Sequence, residues 1–217
     1  MMQSVIQMAT AFVDGVGQVV GIRNSIEEPQ YSVEAKLGDI EIRRYDDRLA
    51  AETEVEGAAE AARSAGFRRI AGYIFWGNTA KDSIAMTAPV AQTLQTKPQK
   101  DAQQIAMTAP VAQAKAADSR WRIQFFMPAD YTRDSLPNPN DPSVRIVAVP
   151  AQLYAVLRFS GDRSGKAVAA KEGRLLAALQ STRWRPSGTP VAWFYDPPWT
   201  IPALRRNEVA VPVAEAR

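Results

Sequence analysis

Residues 40–57 read IEIRRYDDRLAAETEVEG, and residues 144–161 read VRIVAVPAQLYAVLRFSG. The two stretches are equally long and lie 104 positions apart in the chain. When one is laid over the other, apolar positions meet apolar positions and Gly57 meets Gly161. In both stretches apolar residues tend to recur at every second position, as expected of a strand with one buried face, and these positions coincide when the stretches are superimposed. We interpret the pair as equivalent strand segments of an internal repeat.

A helical pattern follows each of these stretches. After Gly57 the chain is rich in alanine, and apolar residues recur at i, i+3, i+4 and i+7, which predicts an amphipathic helix up to about Trp76. A second helix is predicted from about Gly165 to Ser181, with Leu175 and Leu179 in its apolar stripe. Gly77-Asn78 is a plausible C-terminal cap for the first helix.

Extended segments then follow both helices. After the first helix they are residues 84–92, 105–113 and 121–127, and after the second they are residues 190–195 and 208–213. The order predicts an α+β fold in which a βαββ unit is used twice, with a pseudo-twofold relation between the copies.

A shorter repeat is exact. The sequence IAMTAPVAQ occupies residues 84–92 and again residues 105–113, and the polar stretch Thr93–Gln104 separates the two copies. Two like strands joined by a polar connector predict a β-hairpin with a mobile tip.

Composition excludes several classes of chemistry. The chain has 217 residues, of which 46% are apolar and 23% charged, and it contains neither histidine nor cysteine. Disulfides, thiol nucleophiles, cysteine-type zinc sites and Ser-His-Asp triads are therefore excluded. The net charge is +3, and no basic run exceeds two residues. Because nucleic-acid binding usually needs a basic stripe, we expect no nucleic-acid partner.

The N-terminal region differs from the remainder. Residues 1–27 predict a loose arm or a short amphipathic helix, because an apolar stretch there is interrupted by Asp14 and lacks the length of a membrane span. Residues 28–217 are expected to form a single domain. No transmembrane segment is expected, and we expect a cytoplasmic protein that is a monomer or a dimer.

Six motifs in order point to a known family. They are GDIEIRRY at 38–45, FRRIAGYIFWGN at 67–78, IAMTAPV at 84–90, LPNPNDP at 136–142, YDPPW at 195–199 and LRRNEV at 204–209. Together they resemble the SOUL heme-binding proteins over about residues 28–213. The resemblance implies a distorted antiparallel β-barrel with two flanking helices, made of two βαββ halves. It also implies a tetrapyrrole ligand.

A heme site needs an apolar slot and cations for two propionates. The candidate slot combines helix residues with residues of the following strand: Phe67, Ile70, Tyr73, Ile74, Trp76, Met86 and Val90. The candidate propionate partners are Arg63, Arg68, Arg69 and Lys81. Tyr, Met or Lys could ligate the iron, or the porphyrin could bind with no protein ligand, so we assign no metal ligand and no catalytic residue. The expected binding of heme or a metal-free porphyrin is weak and exchangeable, as in a carrier, a buffer or a sensor.

Two other functions stay open at this point. An enzyme could use a cleft carboxylate on a small apolar substrate, and the alternation of Glu52, Glu54 and Glu56 would place all three on one face of a strand. An interaction module could use the N-terminal arm and residues 93–104 to contact a partner.

Overall fold

The computed structural model describes residues 26–80, 83–95, 119–197 and 199–216. Ten strands cover this part of the chain: β1 (Tyr31–Leu37), β2 (Ile40–Tyr45), β3 (Arg48–Glu56), β4 (Val90–Gln95), β5 (Arg120–Phe126), β6 (Val144–Val149), β7 (Gln152–Phe159), β8 (Trp184–Pro186), β9 (Val191–Phe194) and β10 (Asn207–Glu215). Two helices accompany them: α1 (Ala59–Phe75) and α2 (Gly165–Leu179). A short 3-10 turn spans Pro202–Leu204. The predicted α+β class is confirmed.

The strands form one antiparallel sheet. Its order is β1-β2-β7-β10-β9-β4-β5-β3-β6, and β8 pairs with the end of β10. The sheet is not closed, because β1 and β6 stand at its two edges and no pairing joins them. The fold agrees with the predicted distorted antiparallel barrel with two helices, except that the ten-stranded sheet is open.

The strand order has a simple symmetry. Each strand of the first half has a counterpart in the second: β2 with β6, β3 with β7, β4 with β9, and β5 with β10. When every strand is replaced by its counterpart, the order from β2 to β6 reads the same in reverse. The 104-residue offset holds at the strand boundaries, since β2 maps onto β6 residue for residue. The order is the one that two copies of a common unit would give, but each half has two of these strands before its helix, one more than in the predicted βαββ unit. The internal repeat itself stays a prediction.

In each half the chain turns from strand to helix at a glycine. Gly57 has a φ of 116° and Gly161 a φ of 87°, and L side chains rarely adopt such backbone conformations. Ser164 then caps α2 by accepting a hydrogen bond from the backbone N–H of Ala167 at 3.3 Å.

The helices cover one face of the sheet, each over its own half. Under α1 lies a cluster that includes Ile70, Ile74, Ile123 and Phe125, and under α2 a cluster that includes Leu175. A third cluster lies on the opposite face of the sheet and is rich in aromatic rings: Tyr45, Phe126, Tyr154, Trp193 and Tyr195. The sheet is thus packed on both faces, which fixes the strand register.

Only the first copy of the exact repeat lies within the described residues. Its second copy, residues 105–113, lies outside the described residues, as do residues 96–104 and the predicted arm up to residue 25. Val90–Gln92 of the first copy pairs with β5 on one side and with β9 on the other. Because both edges of that segment are occupied, it has no edge left for a hairpin partner.

Within the described ranges, neither helix is long and apolar enough to cross a membrane.

Candidate functional site

Two arginines meet over one aromatic ring between the N-terminal ends of the helices. The guanidinium carbon of Arg63, on α1, lies 4.4 Å from the ring centroid of Phe194, and that of Arg163 lies 6.0 Å from it. Arg163 donates a hydrogen bond to the carbonyl oxygen of Asp196 at 2.9 Å. Arg63 donates longer bonds of 3.4 Å to Gln92 Oε1 and to the carbonyl oxygen of Arg163. We call Arg63, Arg163 and Arg205, together with Phe194, the arginine groove.

The charges in this groove repel one another. Burial lowers the pKa of Arg163 to about 10, and the nearby charges of Arg63 and Arg205 act in the same direction. Burial also lowers the pKa of Arg63; the charge of Glu60 opposes this shift and that of Arg205 adds to it. Neither Arg63 nor Arg163 forms an ion pair with a carboxylate in the described part of the chain. The groove is therefore a partly desolvated positive site that an anion would stabilise.

The N-termini of the two helices meet beside the groove. The backbone N–H of Gly165, the first residue of α2, donates a hydrogen bond of 3.3 Å to Glu60 Oε1 in the first turn of α1, so a carboxylate already occupies this helix N-terminus. The position of a Cβ on Gly165 would be 3.6 Å from the Cβ of Ala59, so the two N-termini are in contact. Helix N-termini carry partial positive charge and favour anions.

An exposed apolar surface borders the groove. Trp199 is 62% exposed, Ile201 45% and Leu204 46%. The loop that carries them is fixed to the groove side of the sheet, since Gly161 donates a hydrogen bond to the carbonyl oxygen of Pro202 at 2.9 Å. Arg205 Nε also donates to the carbonyl oxygen of Thr200 at 2.8 Å. Apolar surface next to clustered arginines suits a large apolar molecule that carries carboxylates.

The residues that the sequence predicted for the apolar slot lie on different faces of α1 or beyond its end. Ile70, Tyr73 and Ile74 lie on the inner face of α1, where each is at most 1% exposed. The hydroxyl of Tyr73 donates to the carbonyl oxygen of Pro137 at 2.9 Å, and burial raises its pKa to about 12. In this conformation these three side chains are packed against the sheet and offer no open surface to a ligand.

The other predicted residues lie further out. Phe67, Arg68, Arg69 and Trp76 are exposed on α1 or at its end, and Arg69 donates to the carbonyl oxygen of Glu54 at 3.1 Å. Met86 and Val90 are half-buried, and Lys81 lies outside the described residues. Of the predicted cations that the structure describes, Arg63 alone lies in the groove, and Phe67 lies one turn away on α1. The binding role of this set stays a prediction.

Arg163, Arg205 and the apolar loop residues were not among the predicted site residues. One signal could have pointed to them. The proline-rich stretch DPPWTIP at residues 196–202 reads as a rigid loop, and such loops often border sites. Nothing in the local sequence shows, however, that the loop and α1 are neighbours.

The carboxylates considered for catalysis are engaged in ion pairs. Glu52 is buried on β3, where it contacts Arg145 at 3.0 Å and Arg122 at 3.4 Å and accepts a hydrogen bond from Gln124 at 2.8 Å. Glu56 pairs with Arg120 at 2.8 Å near the surface. Neither is an isolated acid in an apolar pocket, which is the setting that raises a carboxylate pKa for acid–base work. The described residues also contain no cluster of three or more acidic side chains that could hold a metal ion.

Comparison with known proteins identifies one family model, described as SOUL heme-binding protein, which matches residues 26–212. Similar folds occur in the C-terminal domain of EcmrR, with 11% identity, a TM-score of 0.57, and coverage of 86% of this chain and 99% of that one. EcmrR in a DNA complex has 10% identity and a TM-score of 0.57, with coverage of 100% and 69%. A protein described as a hydrolase from Listeria innocua has 11% identity and a TM-score of 0.55, with coverage of 81% and 92%. At these identities the likeness concerns the fold alone. No curated protein matches the chain in sequence.

Proposed function

The chain belongs to the SOUL heme-binding protein family, and from this premise we propose that it binds heme or another tetrapyrrole at the arginine groove, without catalysis. The observation that carries the proposal is the groove itself. Arg63 and Arg163 share the ring of Phe194, and Trp199 and Ile201 expose apolar surface beside them.

The groove fits the two chemical parts of a tetrapyrrole. Its propionates are carboxylates, which guanidinium groups bind with paired, charge-assisted hydrogen bonds. Its flat macrocycle needs apolar and aromatic surface, which the exposed loop residues supply. Each propionate would relieve part of the repulsion that lowers the pKa of Arg163.

A bound heme would bring an iron centre. The chain has no histidine and no cysteine to ligate that iron. Of the alternatives left open, a Tyr, Met or Lys ligand or none, we propose the last, so that binding rests on the macrocycle and the propionates. We therefore propose weak, exchangeable binding with little preference for heme over a metal-free porphyrin. Such behaviour suits a carrier, a buffer or a sensor.

The test is a titration of the purified protein with hemin and with protoporphyrin IX, followed by the Soret band and by tryptophan fluorescence. We expect one-to-one saturation by both porphyrins. The double variant Arg63→Met/Arg163→Met should weaken both at least about tenfold, because each lost charge-assisted bond contributes about 1.5–3 kcal/mol.

Two control variants locate the site. Arg174→Met removes an exposed arginine whose ion pair with Asp39 lies on the far part of α2, and it should leave both affinities unchanged. Arg68→Met/Arg69→Met removes the two exposed arginines on α1. If this second pair weakens binding and the groove variant does not, the porphyrin lies on the outer face of α1. Absence of saturable binding by either porphyrin would overturn the proposed function.

A further inference from the structure

A second site is built around Arg48, away from the arginine groove. Its guanidinium lies between two aromatic rings, with the carbon 4.4 Å from the ring centroid of Tyr45 and 4.5 Å from that of Phe126. All three guanidinium nitrogens are buried, and none makes a hydrogen bond of good geometry within the described part of the chain. Burial raises the pKa of Tyr154, and Arg48 opposes this rise through its charge and through a polar contact with the Tyr154 hydroxyl.

The hydrogen-bonding capacity of the Arg48 guanidinium is therefore largely unfilled. The two rings offset part of the cost of burial through cation–π contacts. The guanidinium N–H groups nevertheless need acceptors, and a buried charge without them is destabilising. A carboxylate is the acceptor whose geometry matches the guanidinium fork.

A cavity of about 500 Å³ adjoins this arginine at the end of β3, β5 and β6. Its wall includes Arg48 and a set of mainly apolar residues: Leu49, Phe126, Met127, Pro128, Ala129 and Tyr131. The volume lies within the usual range for sites that take small organic molecules. A second cavity of about 610 Å³ shares Phe126 and Ala148 with it and contains Tyr154 and Trp193 in its wall.

Acidic side chains at the rim are mostly engaged. Glu28 pairs with Arg206 at 2.8 Å, and Glu27 accepts the backbone N–H of Ala129 at 2.8 Å. Asp47 accepts the backbone N–H of Ala151 at 2.7 Å. Asp46 also lines the cavity, and its charge acts on Arg48 from a distance. None of the four rim carboxylates forms a direct ion pair or hydrogen bond with Arg48 within the described part of the chain.

We propose that this cavity binds an apolar molecule bearing a single carboxylate, with the carboxylate on Arg48 and the apolar body against Leu49, Phe126 and Met127. The ligand class is a monocarboxylate with an aliphatic or an aromatic body. This site is separate from the arginine groove and does not depend on tetrapyrrole binding.

Calorimetric titration with matched probes tests the site. Decanoate and 2-naphthoate represent the aliphatic and aromatic bodies, and decyltrimethylammonium is the cationic counterpart of decanoate. We expect saturable one-to-one binding of at least one carboxylate, and binding of the cation at least about tenfold weaker. Comparison of the two carboxylates shows which body the cavity prefers.

The variant Arg48→Met should weaken the carboxylate at least about tenfold, and Arg48→Lys should weaken it less because the charge is kept. The matched control is Arg44→Met, which removes an exposed arginine paired with Glu34 at 2.7 Å on the neighbouring strand. Because Arg48→Met removes a buried charge without hydrogen-bond partners, its midpoint of thermal unfolding should equal or exceed that of the wild type.

Three results would overturn the proposal: no saturable carboxylate binding, equal affinity for the cation, or unchanged affinity in Arg48→Met. Arg63→Met should not change decanoate affinity, and hemin should not displace decanoate. If hemin competes and Arg48→Met weakens hemin, the two sites are one and the claim of a separate site fails. Failure of porphyrin binding alone would leave the decanoate result standing.

Discussion

Glu208 and Arg48 are buried charges in opposite situations, since Glu208 has ion-pair partners and Arg48 has none among the described residues. Glu208 is fully buried, yet it contacts Arg43 and Arg206 at 3.0 Å each and accepts the Tyr195 hydroxyl at 2.7 Å. Burial alone would lower the pKa of Arg43, but Glu208 outweighs it and raises that pKa. A buried ion pair with a full set of hydrogen bonds can be maintained, whereas Arg48 lacks such partners. That contrast marks Arg48 as a candidate binding residue.

Glu172 on α2 makes stability depend on pH. Burial raises the pKa of this carboxyl from 4.5 to about 7. Below pH 4.5 both the folded and the unfolded state hold the proton, so there is no penalty. Between pH 4.5 and 7 the unfolded state loses the proton first, and above pH 7 the folded state carries a partly buried charge. Stability is therefore lost as pH rises through this window.

We expect Glu172→Gln to raise the free energy of unfolding at pH 8 by about 1–3 kcal/mol and to change it little at pH 4.5. Urea denaturation at both pH values measures this. The chain has no histidine to titrate in the same range, which keeps the signal clean. The control Glu215→Gln alters an exposed carboxylate at the end of β10 and should show no such difference. Equal effects of Glu172→Gln at the two pH values would contradict the assignment.

At the scale of the element, α1 is held close to the sheet by a glycine. A Cβ built on Gly66 would lie 2.5 Å from Cγ1 and 2.7 Å from Cβ of Ile123, on β5. Nothing lies within 4 Å of the corresponding atom on Gly72 in the same helix. The two glycines thus have opposite physical roles on one element.

Gly66→Ala should lower the free energy of unfolding by about 1–3 kcal/mol, because the added methyl overpacks the interface between helix and sheet. Gly72→Ala should raise it by about 0.5–1 kcal/mol through helix propensity. Chemical denaturation of the two single variants measures both effects. Destabilisation of similar size by both changes would show that backbone conformation, rather than contact with Ile123, decides the outcome.

At the scale of the whole molecule, each half places a strand beside a strand of the other half. In the sheet β2 of the first half pairs with β7 of the second, and β6 of the second half pairs with β3 of the first. The centre of the sheet joins the halves again through β4 and β9. Neither half can satisfy its backbone hydrogen bonds alone, so we infer that both fold as one unit.

Differential scanning calorimetry should therefore show one transition, with equal calorimetric and van't Hoff enthalpies. Ile70→Ala under α1 and Leu175→Ala under α2 remove fully buried side chains from different halves. Each should shift the same transition to lower temperature, with a loss of about 2–5 kcal/mol. Two separated transitions, or a shift of only part of the transition by either variant, would contradict the interlocked fold.

The sequence by itself determined the elements and their order. Strand and helix periods are local properties, so the sequence placed both helices and most strands within a few residues. The 104-residue offset also holds for β2 and β6, whose first and last residues differ by 104 in number. The family motifs, likewise, are continuous stretches and were recognised without a structure. Local pattern does not record pairing between distant segments: nothing in residues 84–92 indicates that Val90–Gln92 lies between β5 and β9.

Only the tertiary structure decided which charges meet. Arg63 and Arg163 are 100 residues apart in sequence, and they share Phe194 because the N-termini of α1 and α2 are brought together above the sheet. The sequence marked Arg63 but gave no reason to pair it with Arg163, and it marked Ile70, Tyr73 and Ile74 without showing that the sheet covers them. Nothing in the sequence distinguishes Arg48 from the other charged residues of the strands. Its guanidinium is buried because it packs between Tyr45 and Phe126. Burial and charge proximity depend on long-range packing, which no local period records.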